Sequence, residues 1–281
     1  MSVLRNVWTI AVLTLHEAMR RRILLAAGIC GLAFLALFST GLTFMLREMG
    51  HHGVKSVVDR AITLNMLTLA GLYATNFLMV MTAVLLPVDT LSGEISTGVI
   101  QTLASKPIGR SEIVMGKWLG HAIVLTGYIA VMVGGLLAMV RLLGHFTPPN
   151  VLHGAPLILV EGLVLLSVSI AGGSRLSTVT NGVMALGLHG LAFIGNWVEQ
   201  IGTYADNQAA RNVGTIASLL MPSEALWQRA AWFMQPAITK ELGQTPFSPI
   251  SVPSGAMVWW AFAYALVAVL LGVRGLQKRA L

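Results

Sequence analysis

The chain has 281 residues, of which 56% are hydrophobic and only 10% are charged, and its mean hydropathy is +0.77. Soluble domains carry about 25% charged residues, so this composition excludes an ordinary water-soluble protein and makes lipid the main solvent. The net charge of +7 comes without a basic stripe interleaved with aromatic residues, which argues against a nucleic-acid-binding protein.

Six apolar stretches are long enough to cross a bilayer, whose hydrocarbon core needs about 20 helical residues. They cover residues 23–46, 61–88, 118–140, 151–171, 176–198 and 255–273. No repeat or linker divides the chain, and the first apolar stretch is too long for the core of a secretory signal peptide. The sequence therefore predicts an all-α polytopic membrane protein, with a single transmembrane domain over residues 1–281.

The segment before the first span has the pattern of an amphipathic helix. Its apolar face is formed by Leu4, Val7, Trp8, Ala11, Leu15 and Ala18, and its polar face by Arg5, Thr9, His16 and Arg20. A tryptophan at headgroup level and the basic run 20–22 are typical of a helix that lies in the membrane interface. An N-terminal interfacial helix is therefore predicted.

The distribution of basic residues predicts the orientation. With six spans both termini lie on one side of the membrane, and most Lys and Arg residues fall on that side: Arg5, Arg20, Arg21, Arg22, Lys106, Arg110, Lys117, Arg175, Arg274, Lys278 and Arg279. Segments rich in Lys and Arg stay in the cytoplasm, so both termini are predicted to be cytoplasmic.

The loop 89–117, between the second and third spans, is the one substantial loop on that side. Apolar side chains recur in it at helical spacing: Ile95, Val99 and Leu103. This pattern predicts a short helix over Glu94–Ala104, which Pro107 ends. Ser111 is the predicted N-cap of a second helix that runs through Lys117 into the third span. The residues alone also fit an interfacial helix that merely connects two spans.

Two polar side chains, Glu161 and His189, fall near the middle of the fourth and fifth spans. A charge at that depth costs about 2.5–3.5 kcal/mol, so Glu161 is expected to have a partner inside the bundle. The two spans are antiparallel neighbours, which makes a Glu161–His189 contact plausible. The pair could belong to a pathway or bind a proton, or it could be a structural hydrogen bond with Glu161 protonated. The modest energy of intramembrane hydrogen bonds favours the structural role.

The segment 199–253, before the last span, is too long to be a simple connection. Pro222, Ser223 and Glu224 mark the start of a helix, and apolar residues follow at helical spacing. We predict a helix on the outer membrane surface or over the pathway, with Trp227 and Trp232 as interface anchors.

The loop also carries a pattern of a known family. In order it contains Gly93-Glu94, Gly98, Leu103, Pro107, Arg110 and Gly116-Lys117. This order resembles an element of ABC-2-type transporter permeases, the membrane subunits of many bacterial exporters. The stretch Leu219–Ala230, LLMPSEALWQRA, is similar to the copper-enzyme maturation type within that family.

The resemblance implies a coupling helix in the loop, docked on a separate ATPase subunit. The implied coupling residues are Glu94, Ile95, Thr97, Gly98, Val99, Leu103, Pro107, Arg110 and Lys117. Glu94 would contact the ATPase, Gly98 would allow close backbone approach, and Arg110 and Lys117 would transmit the motion. The resemblance also implies a prokaryotic cytoplasmic (inner) membrane location and a second permease copy or a homologous permease as partner.

The chain itself is not predicted to be an enzyme. It has no G-x-x-x-x-G-K-[ST] motif, so ATP and Mg²⁺ are expected on the partner subunit, and no cofactor is expected in this chain. The alternative is a membrane haem or metal protein, or an intramembrane enzyme, using His189 and Glu161. His121 and His153 fall near opposite ends of their spans, which disfavours a haem held by two facing histidines.

Overall fold

The computed structural model of the protein describes residues 3–51, 57–98, 108–242 and 248–278. Every regular element in these ranges is a helix. In chain order the helices are α1 (Val3–Arg20), α2 (Arg22–His51), α3 (Val57–Leu85), α4 (Ser92–Ser96), α5 (Arg110–Gly144), α6 (Val151–Gly173), α7 (Thr178–Tyr204), α8 (Gln208–Leu220), α9 (Ser223–Phe233), α10 (Ala237–Leu242) and α11 (Gly255–Gln277).

Six of these helices, α2, α3, α5, α6, α7 and α11, are long and apolar enough to cross a membrane. The predicted number of spans is therefore confirmed within the described residues, and so is the all-helical fold. Each helix extends beyond its predicted apolar stretch at one or both ends, although α3 ends at Leu85 and α7 begins at Thr178, inside the predicted limits. The clearest case is α5, which has 35 residues and begins at Arg110, well before its apolar run.

Both ends of the described chain meet at one end of the bundle, called here the terminal face. Arg110, at the start of α5, donates to the backbone carbonyls of Leu276 and Gln277 at 3.1 and 2.9 Å. Arg21, which follows α1, lies 3.4 Å from Asp89, which follows α3. The opposite end, called the far face, carries the connections from α2 to α3, from α5 to α6 and from α7 to α8.

The predicted N-terminal helix is confirmed as α1, and it packs along the first half of α5. Two glycines of α5 allow the close approach. A Cβ on Gly116 would lie 2.6 Å from Cβ of Ile10, and one on Gly120 would lie 2.7 Å from the carbonyl oxygen of Ala11. The contact face of α1 includes the buried polar residues Asn6 and Thr14, while Leu4 and Trp8 on the predicted apolar face stay exposed. The apolar face is therefore divided between protein and membrane.

Helix α6 lies at the centre of the bundle and packs against α3, α5, α7, α9 and α11. Its side chains Val164, Leu165 and Ile170 are fully buried. By contrast, α2 leaves large apolar side chains such as Leu25, Leu32 and Phe44 exposed on its outer surface. An apolar surface of this kind is expected on a helix that faces lipid.

The helix predicted after Pro222 is present as α9, but of its two predicted positions the one on the outer membrane surface is wrong, because α9 is largely buried. The segment before the last span forms a hairpin of two short helices, α8 and α9, that enters the bundle. Helix α8 runs back along α7: Gly202 faces Ala210, and Gly195 faces Ala217, each too close to accept a Cβ. At the bottom of the hairpin Ser223 shares a hydrogen bond with His189 at 2.9 Å. At a rise of 1.5 Å per residue, His189 is about 22 Å from the far end of α7, so the hairpin reaches about mid-membrane.

Helix α9 then packs against α6 and α7, and Trp227 is only 1% exposed. The Trp227 ring makes an edge contact with Tyr73 of α3, with centroids 5.6 Å apart. The prediction of Trp227 as an interface anchor is therefore wrong, because the hairpin buries it in the core. Trp232 lies nearer the end of α9 and packs edge-on against Phe233.

Candidate functional sites at the terminal face and in the bundle

The first candidate site is the junction at the terminal face, where the chain leaves α3 and turns into α4. Its backbone is held by Asn181 of α7, whose Nδ2 donates to the carbonyls of Val88 at 3.1 Å and Ser169 at 2.8 Å. The Ser92 and Thr178 hydroxyls are joined at 2.8 Å. The start of α4 is therefore fixed to both α6 and α7.

Charged side chains of the junction are paired. Lys117 of α5 is 3% exposed and forms an ion pair with Glu94 of α4, whose Oε2 is buried without a hydrogen-bond partner. Next to it, His121 Nδ1 donates to the Lys117 carbonyl at 2.8 Å, and His121 Nε2 lies 3.2 Å from the Thr90 hydroxyl. These contacts join α4 and the loop after α3 to α5 at Lys117 and His121.

A second pair at the junction involves α1. Arg21 binds Glu17 at 2.5 Å and Asp89 at 3.4 Å, and so connects α1 to the loop after α3. Partial burial raises the pKa of Glu17, but the hydrogen bond and the charge of Arg21 outweigh it and hold the pKa below its usual value. Glu17 therefore stays ionised and keeps this connection at neutral pH.

The predicted coupling helix differs in its bounds. Helix α4 begins at Ser92, earlier than the predicted start, and ends at Ser96. Gly98 has φ 75°, a left-handed conformation that glycine tolerates and that ends the helix before the predicted limit at Ala104. The glycine thus follows the end of α4, and the close backbone approach that the resemblance implies for Gly98 stays a prediction. Val99, Leu103 and Pro107 lie outside the described residues.

The other predicted coupling residues are distributed over distinct environments. The Glu94 carboxylate forms an ion pair with Lys117, and Ile95 packs on the hydrophobic core. Thr97 is exposed, and its hydroxyl donates to the Gly93 carbonyl at 2.9 Å. Arg110 binds the end of α11, as described above.

The start of α5 also departs from expectation. The N-cap is Gly109 and not Ser111, because the Glu112 carboxylate reaches back to accept from the Gly109 amide at 3.2 Å. The same oxygen accepts from Asn6 Nδ2 of α1 at 2.9 Å. Glu112 therefore both caps α5 and fixes α1 to it.

The second candidate site is a layer of buried polar side chains within the bundle. Glu161 of α6 is 0% exposed, and its Oε1 accepts from Asn76 Nδ2 of α3 at 3.1 Å. Glu161 Oε2 and Asn76 Oδ1 have no hydrogen-bond partner. Glu161 was predicted to contact His189. In the structure Glu161 binds Asn76 instead, and His189 binds Ser223.

Glu224 of α9 is a second buried carboxyl in this layer. Its Oε1 accepts from Gln228 at 3.1 Å and from Asn196 of α7 at 3.3 Å. Glu224 is 2% exposed, so its carboxyl group is removed from solvent. From the sequence, Glu224 was predicted only as part of the start of a surface helix. An acid next to Pro222 and Ser223 gave no sign of burial.

Polar contacts continue from this layer to the far face. Gln200 Nε2 donates to Asn196 Oδ1 at 3.3 Å, and Gln200 Oε1 accepts from the backbone amides of Ile250 and Ser251 at 2.6 and 2.9 Å. The Ser251 hydroxyl donates to Glu199 at 2.6 Å. The segment before α11 is thereby clamped to the end of α7.

The histidines considered for a haem or metal site lie apart. His121 is at the terminal face, His189 at the bottom of the hairpin, and His153 stacks near Phe233 with centroids 5.7 Å apart. Within the ranges that the structure describes, no three His, Cys, Asp or Glu side chains are grouped as a metal ion would need.

Comparison with known proteins decides the family. The family described as "ABC-2 family transporter protein" matches residues 8–280, which is nearly the whole chain. The chain belongs to the ABC-2 transporter family. It is 33% identical over 196 residues to a "Probable ABC transporter permease protein NosY" of Pseudomonas aeruginosa, an alignment that covers 65% of each protein. A protein of the same description from Stutzerimonas stutzeri is 32% identical over 137 residues, covering 47% of this chain and 43% of the relative.

The match confirms the resemblance that the loop motif indicated. The ABC-2 family comprises membrane subunits, in keeping with the six apolar spans of this chain. The alignments span less than two thirds of the length of either relative.

Proposed function

We propose that the chain is the permease subunit of an exporter in a prokaryotic cytoplasmic membrane, driven by a separate ATPase subunit that docks on the terminal face. In this proposal both termini are cytoplasmic, and the permease pairs with a second copy or a homologous permease. ATP and Mg²⁺ bind to the ATPase subunit. Family membership and the excess of basic residues at the terminal face support the arrangement.

The observation that carries the proposal is the buried Lys117–Glu94 pair. It fixes α4 to α5, a 35-residue helix that runs through the bundle. A force on the end of α4 at residues 96–98, called here the α4 tip, is therefore passed to a long rigid helix. Asn181 and the Ser92–Thr178 contact fix the same segment to α6 and α7. A tip that is tied to three spanning helices is suited to transmit motion.

The tip itself offers the docking contact. Ser96 and Thr97 are exposed, whereas the residues before them face the bundle. Because Glu94 is already paired with Lys117, we assign the ATPase contact to Ser96, Thr97 and the backbone at Gly98. Glu94 and Lys117 act as the support behind that surface.

Crosslinking of the assembled transporter tests the docking. In a background that lacks the native Cys30, Thr97→Cys is expected to crosslink to the ATPase subunit. The matched control is Asp206→Cys, whose side chain is 94% exposed at the far face and which should not crosslink. Equal labelling at both positions, or none at Thr97 with any nucleotide, would refute the proposed docking surface.

A second variant tests coupling without straining the backbone. Thr97→Trp adds bulk at the exposed tip and leaves Gly98 intact. We expect the permease to insert and fold normally while the transport-stimulated ATP hydrolysis falls at least tenfold. Full stimulation in a folded Thr97→Trp protein would contradict the assignment.

A further inference from the structure

The side chains of Glu161 and Asn76 meet at the centre of the bundle in an incomplete hydrogen-bonded pair. Asn76 Nδ2 donates to Glu161 Oε1 at 3.1 Å. The second oxygen of each side chain, Glu161 Oε2 and Asn76 Oδ1, is buried and has no partner. Two buried acceptors without a donor are costly, since each loses its hydration and gains nothing in return.

The groups around Glu161 offer no positive charge among the described residues. Helix α3 contributes Asn76 and Tyr73. Helix α9 contributes Glu224, and its one cation, Arg229, donates to the Pro253 carbonyl before α11. On α5 the neighbours of the adjacent Gly162 are the apolar Leu125 and Ile129.

The two remaining neighbours of α6 do not supply a cation either. On α7 the nearest ionisable side chain in depth is His189, and its Nδ1 is engaged by Ser223. Helix α11 carries Tyr264 but no charged residue between Gly255 and Val273. An ionised Glu161 would therefore be an uncompensated charge at mid-membrane.

A single proton removes both the uncompensated charge and the lack of a donor between the two acceptors. Placed on Glu161 Oε2, it removes the charge and turns an orphan acceptor into a donor. Asn76 Oδ1 is the free acceptor on the side chain that already binds the other carboxyl oxygen. A metal cation needs several oxygen ligands, commonly six or more for the hard ions, and the free oxygens here are too few.

We propose that Glu161 and Asn76 form a proton-binding site inside the membrane, with Glu224 as a second acid on the route to the far face. Polar groups line the way from Glu224 to the far face: Glu224 binds Asn196, Asn196 binds Gln200, and Gln200 binds the backbone at Ser251. This site goes beyond the proposed docking of an ATPase and does not depend on it.

Infrared spectroscopy of the purified permease in lipid nanodiscs at neutral pH tests the site. The spectrum is expected to contain the C=O stretching band of protonated carboxylic acid, and Glu161→Gln should remove the intensity of one carboxyl. Asn76→Leu should keep that intensity but shift the band, because the acid loses its amide partner. Glu199→Gln, at the outer end of α7, is the matched control and should leave the band unchanged.

The same experiment can overturn the proposal. If Glu161→Gln leaves the acid band unchanged and instead removes a carboxylate band, Glu161 is ionised in the protein. A carboxylate band that shifts when Na⁺ replaces K⁺, and that disappears in Glu161→Gln, would show a metal cation in place of the proton. Neither outcome affects the docking experiments, because no ATPase is present.

Discussion

The junction at the terminal face and the polar layer inside the bundle solve the same problem in different ways. At the junction, acids are paired with cations: Glu94 with Lys117, and Glu17 with Arg21. In the layer, Glu161 and Glu224 are bound by the amides of Asn76, Asn196 and Gln228, and no described cation reaches them. Each of these junction acids therefore has a cation beside it, whereas deep in the bundle, where an unpaired charge is most unfavourable, each acid has neutral amide donors instead.

This comparison predicts that the largest loss of stability comes from removing one partner of a junction ion pair and leaving the other in place. Lys117→Met leaves Glu94 partly buried without its cation, which should lower the free energy of unfolding by about 3 kcal/mol. Thermal unfolding in detergent measures it. The double variant Lys117→Met/Glu94→Leu should recover most of the loss.

The exposed pair Arg211–Asp206 is the control for this prediction. Asp206→Asn should change the stability by less than about 1 kcal/mol, because an exposed ion pair contributes little. If Lys117→Met costs no more than Asp206→Asn, the junction pair does not support the bundle.

The polar layer should respond to pH instead. Glu224 is buried and bound only by neutral amides, so its ionised form is an uncompensated charge, and the melting temperature is expected to fall as the pH rises from about 4.5 to about 7. Glu224→Gln should flatten this part of the curve of melting temperature against pH.

The pH prediction has a clear counter-result. A slope between pH 4.5 and 7 that is the same in Glu224→Gln and in the wild type would show that Glu224 titrates like a solvated acid. Glu199→Gln serves as the control variant, since Glu199 lies at the end of α7 and binds Ser251.

The smallest expected effect concerns the packing that supports the junction. In Gly120→Ala, the new Cβ would lie 2.7 Å from both the Ala11 carbonyl oxygen and Thr14 Cβ, so α1 must move away from α5. We expect a loss of about 1–2 kcal/mol and a weaker contact between Asn6 and Glu112. Gly127→Ala, on the same helix but with open space at its Cβ, should stabilise α5 by up to about 1 kcal/mol. A stabilising Gly120→Ala would show that α1 is not closely packed.

The spans could be predicted from sequence because their signal is local. Apolar length alone locates α2, α3, α5, α6, α7 and α11, and the basic run at 20–22 marks the boundary between α1 and α2. The N-terminal helix was predicted for the same reason, from a 3.6-residue period. The face by which α1 packs on α5 could not be predicted from the sequence. Gly116 and Gly120 indicate that contact only once α1 is known to lie beside them.

The hairpin could not be predicted, because its signal is not local. Helices α8 and α9 have 13 and 11 residues, and with Arg211, Glu224 and Arg229 they have the composition of an outer loop. Their burial depends on partners from other helices, such as Asn196 for Glu224 and Tyr73 for Trp227. In the same way, the periodicity of Ile95, Val99 and Leu103 predicted a helix that continues past Gly98. The left-handed backbone at Gly98, which interrupts it, gives no such periodic signal in the sequence.

The hairpin also bears on how the protein is made. Helices α8 and α9 have 13 and 11 residues, and each is shorter than the roughly 20 residues that a bilayer span needs, so neither is expected to be inserted as a span of its own. It can fold back against α6 only once α7 is in place, and the clamp on Gln200 needs Ser251, which precedes α11. The partners that bury Trp227, in α3, α6 and α7, all precede the hairpin in the chain, so we expect the hairpin to close on spans that have already been inserted, and only the clamp at Gln200 to wait for the segment before α11.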